Sequence, residues 1–321
     1  MTARCQARPS AVAAHTTGAG LGRGDGGRYL LTQVKVVWKY LALFVFPVGQ
    51  NFDHDVKTFA GIDLAFVAAL AGLVALTTVA VWQRRHGIWL LGALVLLAPS
   101  SSIVPVADLM FEHRMYLPLI SLAVGVGHGS SLVRRVRVQA LTVAVLLALA
   151  ATTWARARVW ETEETLWSDA EAKSPRKVRP KLQLARALGG QDPERAESLL
   201  LAARSLESRN PEVYTQMGAL MLKQRNPYGA LQEFDEALRL QPQSADAHSN
   251  RGTALFLLGR LGEAEMEFQD ALSRDPCHFN ARHNLVLLYK ARHDEAGRRR
   301  AATPLSHCPL TADQKSELEA Q

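Results

Sequence analysis

Several signatures of catalysis and metal binding are missing from this sequence. It has three cysteines, Cys5, Cys277 and Cys308, and none has a neighbour at metal-ligand spacing. It has no glycine-rich phosphate loop after a strand, no Gly-x-Ser-x-Gly and no His-Glu-x-x-His. The sequence therefore predicts no metal and no cofactor, and it leaves any catalytic residues unknown.

A basic surface is also missing from the charged half of the chain. Lys and Arg outnumber Asp and Glu by nine in residues 1–159, whereas Asp and Glu are in excess by two in residues 160–321. The positive charge thus belongs to the apolar half and not to a basic soluble domain. Because nucleic-acid binding needs Lys and Arg on a folded face, this partner is excluded.

Residues 29–159 are predicted to form a multi-spanning bundle of transmembrane helices. The preceding residues, 1–28, lack periodicity and a long apolar core, and they are predicted to be disordered. A helix over 34–46 carries basic and aromatic residues, which suits the membrane interface. The predicted spans are about 60–82, 88–106, 117–133 and 138–155.

The loops between these spans predict their orientation. Basic turns at Arg84 and Arg134 fall on one side if all four segments cross, and the positive-inside rule places that side in the cytoplasm. The chain after Trp154 then faces outward. The sequence thus predicts an integral membrane protein, of the bacterial inner membrane, with an extracytoplasmic C-terminal domain.

Two polar stretches interrupt the apolar half. Asp53-His54-Asp55 favours a solvated loop over a cation site, because metals need several convergent ligands. A cluster between the second and third spans suggests a lipid-phosphate site with four candidate residues, namely Glu112, His113, Arg114 and Tyr116. The alternative is a polar loop with interfacial anchors, and residue chemistry weighs the two evenly.

A 34-residue repeat organises residues 160–310. Small residues, one Phe and one Pro recur at the same offsets, which is the tetratricopeptide pattern: small residues allow close helix packing, Phe fills the groove and Pro ends the second helix. The signature residues are Tyr214, Gly218, Ala230, Phe234, Ala237, Pro242, Gly252, Ala264, Phe268, Ala271 and Pro276. The predicted fold is all-α, a membrane helix bundle followed by a tetratricopeptide-repeat solenoid.

The repeat domain is predicted to bind a protein or peptide. Such arrays offer a concave face built from first helices. Arg282 and His283 lie on a first helix, and they are predicted to be solvated rather than to contact a ligand. Residues 311–321 are predicted to form a polar tail or cap, and pairing of Cys277 with Cys308 is left open.

Three stretches of the sequence form a recognisable set, namely Tyr29-Leu30-Leu31-Thr32-Gln33, the segment 46–55, and Phe111-Glu112-His113-Arg114-Met115-Tyr116-Leu117-Pro118 preceded by Ser102-Ile103-Val104-Pro105. These stretches resemble the transmembrane and tetratricopeptide-repeat O-mannosyltransferases and their bacterial relatives. The resemblance covers about residues 29–310. It implies part of a C-type glycosyltransferase fold, a polyprenyl-phosphate sugar donor held by Glu112, His113 and Arg114, and an acceptor protein held by the repeats.

The resemblance also implies a catalytic acidic loop near the start of the family's membrane region. Here Asp25 is the sole acid before Tyr29, so the chain is expected to be a truncated version of a longer enzyme or a C-terminal half kept as a binding module. The predicted function is membrane-anchored protein binding. One alternative is a mannosyltransferase acting on Ser or Thr with a partner chain that supplies the missing helices, and another is an envelope assembly scaffold.

Overall fold

A computed structural model describes most of the chain as helices. The described residues are 26–46, 49–51, 53–54, 56, 58–97, 116–131, 136–303, 308 and 311–320, and they contain no strand. The chain divides into two compact units, residues 1–180 and 181–321.

The described part of the first unit contains six α-helices. They are α1 Gly26–Val45, α2 Leu64–Trp82, α3 Arg84–Leu97, α4 Tyr116–Ser131, α5 Val136–Ala157 and α6 Glu163–Lys173, with a 3₁₀ turn at Arg158–Trp160. The first helix starts earlier than the predicted 34–46 segment. Residues 26–28, predicted to be disordered, form its first turn, because buried Tyr29 and Thr32 extend its packed face.

Two helical stretches in the described residues are long and apolar enough to cross a membrane. They are α2 and Ala140–Trp160. In the most apolar part of each stretch, 11% of the residues of α2 are buried, and none of those of Ala140–Trp160. Leu64 and Trp82, at the two ends of α2, are 85% and 83% exposed. The predicted spans 88–106 and 117–133 coincide with the shorter helices α3 and α4, and residues 98–106 and 132–133 lie outside the described residues.

The first helix packs against α2 and the segment before it. Trp38 Nε1 donates to the carbonyl of Ala69 at 2.8 Å, and Lys35 Nζ lies 3.0 Å from Asp63 Oδ2. Asp63 also caps α2 by accepting from the Phe66 backbone N–H, which satisfies one of the unpaired donors of the first turn. Polar contacts at its start therefore fix the entry into this apolar helix.

The polar stretch after α1 is not the solvated loop that the sequence predicts. Asn51, Asp53 and His54 are buried, and Asn51 Nδ2 donates to Ser174 Oγ at 2.8 Å. Lys177 forms an ion pair with Asp53. Because buried charges need a partner, this pairing explains how Asp53 is tolerated in the interior.

The second unit is built from helix pairs. Its helices are α7 Val178–Leu188, which crosses the division at residue 180, α8 Pro193–Leu206, α9 Pro211–Lys223, α10 Pro227–Leu240, α11 Ala245–Leu257, α12 Leu261–Arg274, α13 Phe279–Ala291, α14 Glu295–Ala302 and α15 Ala312–Ala320. Pro begins α8, α9 and α10, where its missing N–H costs no hydrogen bond. The preceding side chains Asp192, Asn210 and Asn226 cap the same helices.

Small residues allow the helices of each pair to approach closely. Phe234 and Phe268 are fully buried. A Cβ atom at Gly218 would lie 2.5 Å from Cε1 of Phe234, and one at Gly252 would lie 2.6 Å from Cε1 of Phe268. The repeated Gly and Phe therefore form one interlocking contact in each repeat.

The C-terminal end of the second unit is held by three different contacts. Cys277 and Cys308 form a disulfide with a Cα–Cα distance of 5.3 Å, in the usual range for such bonds. Leu318 of α15 is fully buried in a cluster with Leu285. Arg282 is buried and donates to the carbonyls of Pro276, Ala301 and Thr303, so its predicted solvation is wrong.

Candidate functional site

Three carboxamide side chains occupy equivalent positions on successive first helices. Gln216 lies on α9, Asn250 on α11 and Asn284 on α13, each 34 residues after the previous one. All three are half-buried. We call them the amide row. Each carboxamide has two donor hydrogens and an acceptor oxygen, which are the groups that pair with a polypeptide backbone.

Hydrogen bonds hold two members of the amide row in place. Asn284 Nδ2 donates to Thr253 Oγ1 at 3.0 Å, which links α13 to α11 across two repeats. Gln216 Nε2 donates to Glu212 Oε1 at 2.8 Å on the same helix. Each of these bonds uses one of the two N–H groups, so both carboxamides keep further hydrogen-bonding capacity.

Two further polar atoms belong to residues that precede members of the amide row in the sequence, Ser249 and His283. Ser249 is 1% exposed, and its hydroxyl has no hydrogen-bond partner in the described part of the chain. His283 stacks on Phe279 with ring centroids 5.8 Å apart. Its Nε2 lies 3.6 Å from Glu317 Oε1 of α15, too far for a hydrogen bond. Both atoms are shielded from solvent, so neither is open to a ligand on the surface of the described repeats.

Charges on these helices are coupled between repeats. Burial raises the pKa of the Glu212 carboxyl, and Asp246 raises it further, whereas Gln216 and Arg186 oppose the shift. A hydrogen bond from His278 lowers the pKa of Asp246, whose Oδ1 lies 3.0 Å from His278 Nε2. Two members of the amide row, Gln216 and Asn250, therefore each have an acidic residue one turn earlier on the same helix, Glu212 on α9 and Asp246 on α11.

The residues predicted from the sequence fall into two groups. Glu112, His113 and Arg114 lie outside the described residues, and Tyr116 is described only as the first residue of α4. The Gly, Ala and Phe members of the repeat signature are buried between paired helices. Tyr214 donates from its hydroxyl to the Ser208 carbonyl at 2.7 Å, while Pro242 and Pro276 are exposed beyond α10 and α12.

The amide row was not among the predicted site residues. The signal for it was present, because Gln216, Asn250 and Asn284 recur with the repeat period. A repeat signature selects residues that pack, whereas residues that contact a ligand occupy the positions between them. Equivalent polar positions in successive repeats are thus the better signal for a binding surface.

This combination of period and helix pairing defines the second unit as a tetratricopeptide-repeat solenoid. No family model matches the chain. The chain is 36% identical over 104 residues to an inactive TPR repeat-containing thioredoxin, TTL3, from Arabidopsis thaliana, which is 32% of this chain and 15% of that protein.

Two further comparisons involve the repeats. TPR repeat-containing thioredoxin TTL4 from the same plant is 33% identical over 107 residues, 33% of this chain and 16% of that protein. The crystal structure of TTC0263, a thermophilic TPR protein in Thermus thermophilus, aligns with a TM-score of 0.44 and 20% identity, over 54% of this chain and 95% of that one. The chain thus spans about a sixth of the length of the two plant relatives.

Proposed function

We propose that the repeats bind an extended segment of a partner protein along the amide row. The observation that carries this proposal is the recurrence of Gln216, Asn250 and Asn284 on the first helices of consecutive repeats, with Asn284 on α13 bonded to Thr253 on α11, the first helix of the preceding repeat. Carboxamides spaced along a solenoid match the repeated N–H and C=O groups of an extended backbone.

Replacing Asn250 with Ala is expected to weaken peptide binding. The change removes two donor hydrogens and one acceptor oxygen from the middle of the row, at about 0.5–1.5 kcal/mol for each hydrogen bond lost. The purified full chain is used to select a ligand from a library of random linear peptides, and the Kd of the labelled peptide is measured by fluorescence polarisation. We expect the Kd to rise by about tenfold, which corresponds to about 1.4 kcal/mol.

The matched control is Gln232→Ala, which removes an exposed carboxamide from the second helix α10. Its Kd is expected to equal that of the unchanged chain. Equal affinities for all three proteins would mean that the peptide binds elsewhere, and the proposal would then be wrong.

We also propose that the first unit anchors the protein in a membrane, with the repeats on the extracytoplasmic side. Support for the anchor comes from the length and apolar surface of α2 and Ala140–Trp160. Support for the orientation comes from the basic turns in the sequence and from the Cys277–Cys308 disulfide, since disulfides persist mainly outside the reducing cytoplasm.

Placing two charges in α2 is expected to release the protein from membranes. Leu70 and Val74 are 42% and 56% exposed on α2, and a carboxylate near a bilayer centre costs roughly 2.5–3.5 kcal/mol. We expect Leu70→Asp with Val74→Asp to reduce the fraction of protein that stays in the membrane pellet after alkaline carbonate extraction. The control places the same two charges at Leu201 and Leu206 of α8, which are 42% and 44% exposed.

Retention equal to that of the unchanged chain in the α2 variant would contradict the anchor. Carbonate release of the unchanged chain would contradict it as well.

The sugar-transfer alternatives rest on the family resemblance. The three residues that would hold a lipid-phosphate donor, Glu112, His113 and Arg114, lie outside the described residues. Mannosyl transfer to Ser or Thr with a partner chain, and scaffolding in the bacterial envelope, therefore stay predictions from the sequence. The amide row favours protein binding, which both alternatives share.

A further inference from the structure

A histidine and two carboxylates converge between the helices of one repeat. His248 lies on α11, and Glu267 and Asp270 lie on α12. Each offers one ligand atom, and these three atoms lie within 4.8 Å of one another. The His248 and Glu267 side chains are 10% and 14% exposed, whereas Asp270 is 54% exposed and keeps the site open to solvent.

The hydrogen bonds of His248 determine which ring nitrogen faces the carboxylates. Nε2 lies 3.2 Å from the Pro242 carbonyl oxygen. A carbonyl only accepts, so Nε2 carries the hydrogen. Nδ1 lies 2.8 Å from Glu267 Oε2. The nitrogen that keeps a lone pair in this tautomer, Nδ1, therefore faces the Glu267 carboxylate.

Asp270 supplies the third ligand atom. Asp270 follows Glu267 by three residues on α12, and residues at this spacing share a helix face. Its Oδ1 forms an ion pair with Arg274 Nη1 at 3.4 Å, and because Asp270 is 54% exposed this pair contributes little. One imidazole nitrogen and two carboxylates therefore lie within reach of a single ion.

The neighbouring charges are compatible with a divalent ion. Glu267 uses its two oxygens separately: Oε1 lies 2.5 Å from Arg251 Nη1, and Oε2 faces His248. The Arg251 guanidinium is also bonded to Asp235 at 2.7 Å, so its charge is offset outside the site. Glu267 and Asp270 carry the two negative charges that a divalent cation would meet, and Arg274 competes for Asp270 at the exposed edge.

We propose that His248 Nδ1, Glu267 and Asp270 bind a divalent transition metal ion of the zinc type. One imidazole nitrogen and two carboxylate oxygens are ligands that Zn²⁺ accepts, with water at the fourth position. The bond from Nε2–H to the Pro242 carbonyl is the kind of outer contact that orients a metal-binding histidine. The ion joins α11 to α12 and stabilises the repeat that carries Asn250.

The test measures Zn²⁺ binding to the full chain, purified in detergent and freed of metal with a chelator. Isothermal titration is expected to give a Zn²⁺ site that Asp270→Asn weakens by at least tenfold. This variant leaves the His248–Glu267–Arg251 contacts in place, and far-UV circular dichroism checks that it folds. The matched control is Asp246→Asn, which removes the carboxylate bonded to His278, and it is expected to bind Zn²⁺ like the unchanged chain.

Cobalt provides a second readout that does not depend on affinity. Co²⁺ bound by three protein ligands and water is expected to show the intense visible absorption of a four-coordinate ion, and Asp270→Asn is expected to lose it. No Zn²⁺ binding by the unchanged chain, or equal binding and equal absorption after Asp270→Asn, overturns the proposal. In either case the contact between His248 and Glu267 is a direct hydrogen bond without an ion.

Discussion

Replacing Cys308 with Ser is expected to lower the free energy of unfolding of the repeat unit by about 3–4 kcal/mol. The disulfide to Cys277 closes a loop of 31 residues, and a crosslink over a loop of this length restricts the unfolded chain by about that amount. Helices α13 and α14 lie inside the closed loop. The loss is thus expected to concentrate in the last repeat.

Two measurements on the full chain test this expectation. Urea unfolding gives the change in stability, and hydrogen exchange read by mass spectrometry gives its location, with faster exchange expected in α13, α14 and α15. Cys5→Ser is the control for loss of a thiol as such. Reduction of the unchanged chain is expected to reproduce the effect of Cys308→Ser. If neither reduction nor Cys308→Ser changed the free energy of unfolding, the proposed role of the disulfide would be wrong.

Replacing Gly252 with Leu is expected to destabilise its repeat by about 1–3 kcal/mol through overpacking. Even a Cβ atom at this position would lie 2.6 Å from Phe268 Cε1. Phe268 is fully buried in a cluster with Leu255 and Leu288, so its ring has little room to move. Close-packed interiors transmit such strain instead of absorbing it.

Thermal unfolding of the full chain measures the effect, with Gly262→Leu as the matched control. Gly262 is exposed in the first turn of α12, and the nearest atom to an added Cβ is 3.9 Å away on Arg292. Phe268→Leu added to Gly252→Leu is expected to recover part of the loss, because the two positions are in contact. An unchanged melting temperature for Gly252→Leu would show that the Phe268 ring moves aside at no cost.

The repeat fold was predictable because its information is local and repeated. The same packing residues occur in two repeats, since Gly252, Ala264 and Phe268 each have a counterpart of the same type 34 residues earlier. Capping residues such as Asn210 mark where the helices begin. A pattern of this kind needs no knowledge of distant contacts. The helix pairs of the second unit, and the residues that fill the contact within each pair, could therefore be predicted from the sequence.

The burial of polar residues was not predictable in the same way. Arg282 is polar and lies on a first helix, so it resembles a solvated residue until the carbonyls of Ala301 and Thr303 are placed beside it. The metal candidates are similar. His248 and Glu267 are 19 residues apart and match no motif, and packing of α11 on α12 brings them together. Sequence patterns record periodicity, whereas these contacts depend on tertiary packing.

The contact between the stretch after α1 and the segment after α6 has a consequence for synthesis on the ribosome. Asn51 bonds to Ser174 and Asp53 pairs with Lys177, which follow them by 123 and 124 residues. At roughly 5–20 residues per second, the partners of Asn51 and Asp53 are made about 6–25 seconds later. All of α2 to α5 is translated in this interval. The first unit is therefore completed only once the ribosome has passed its apolar helices, and every pause in that region delays the closing contact.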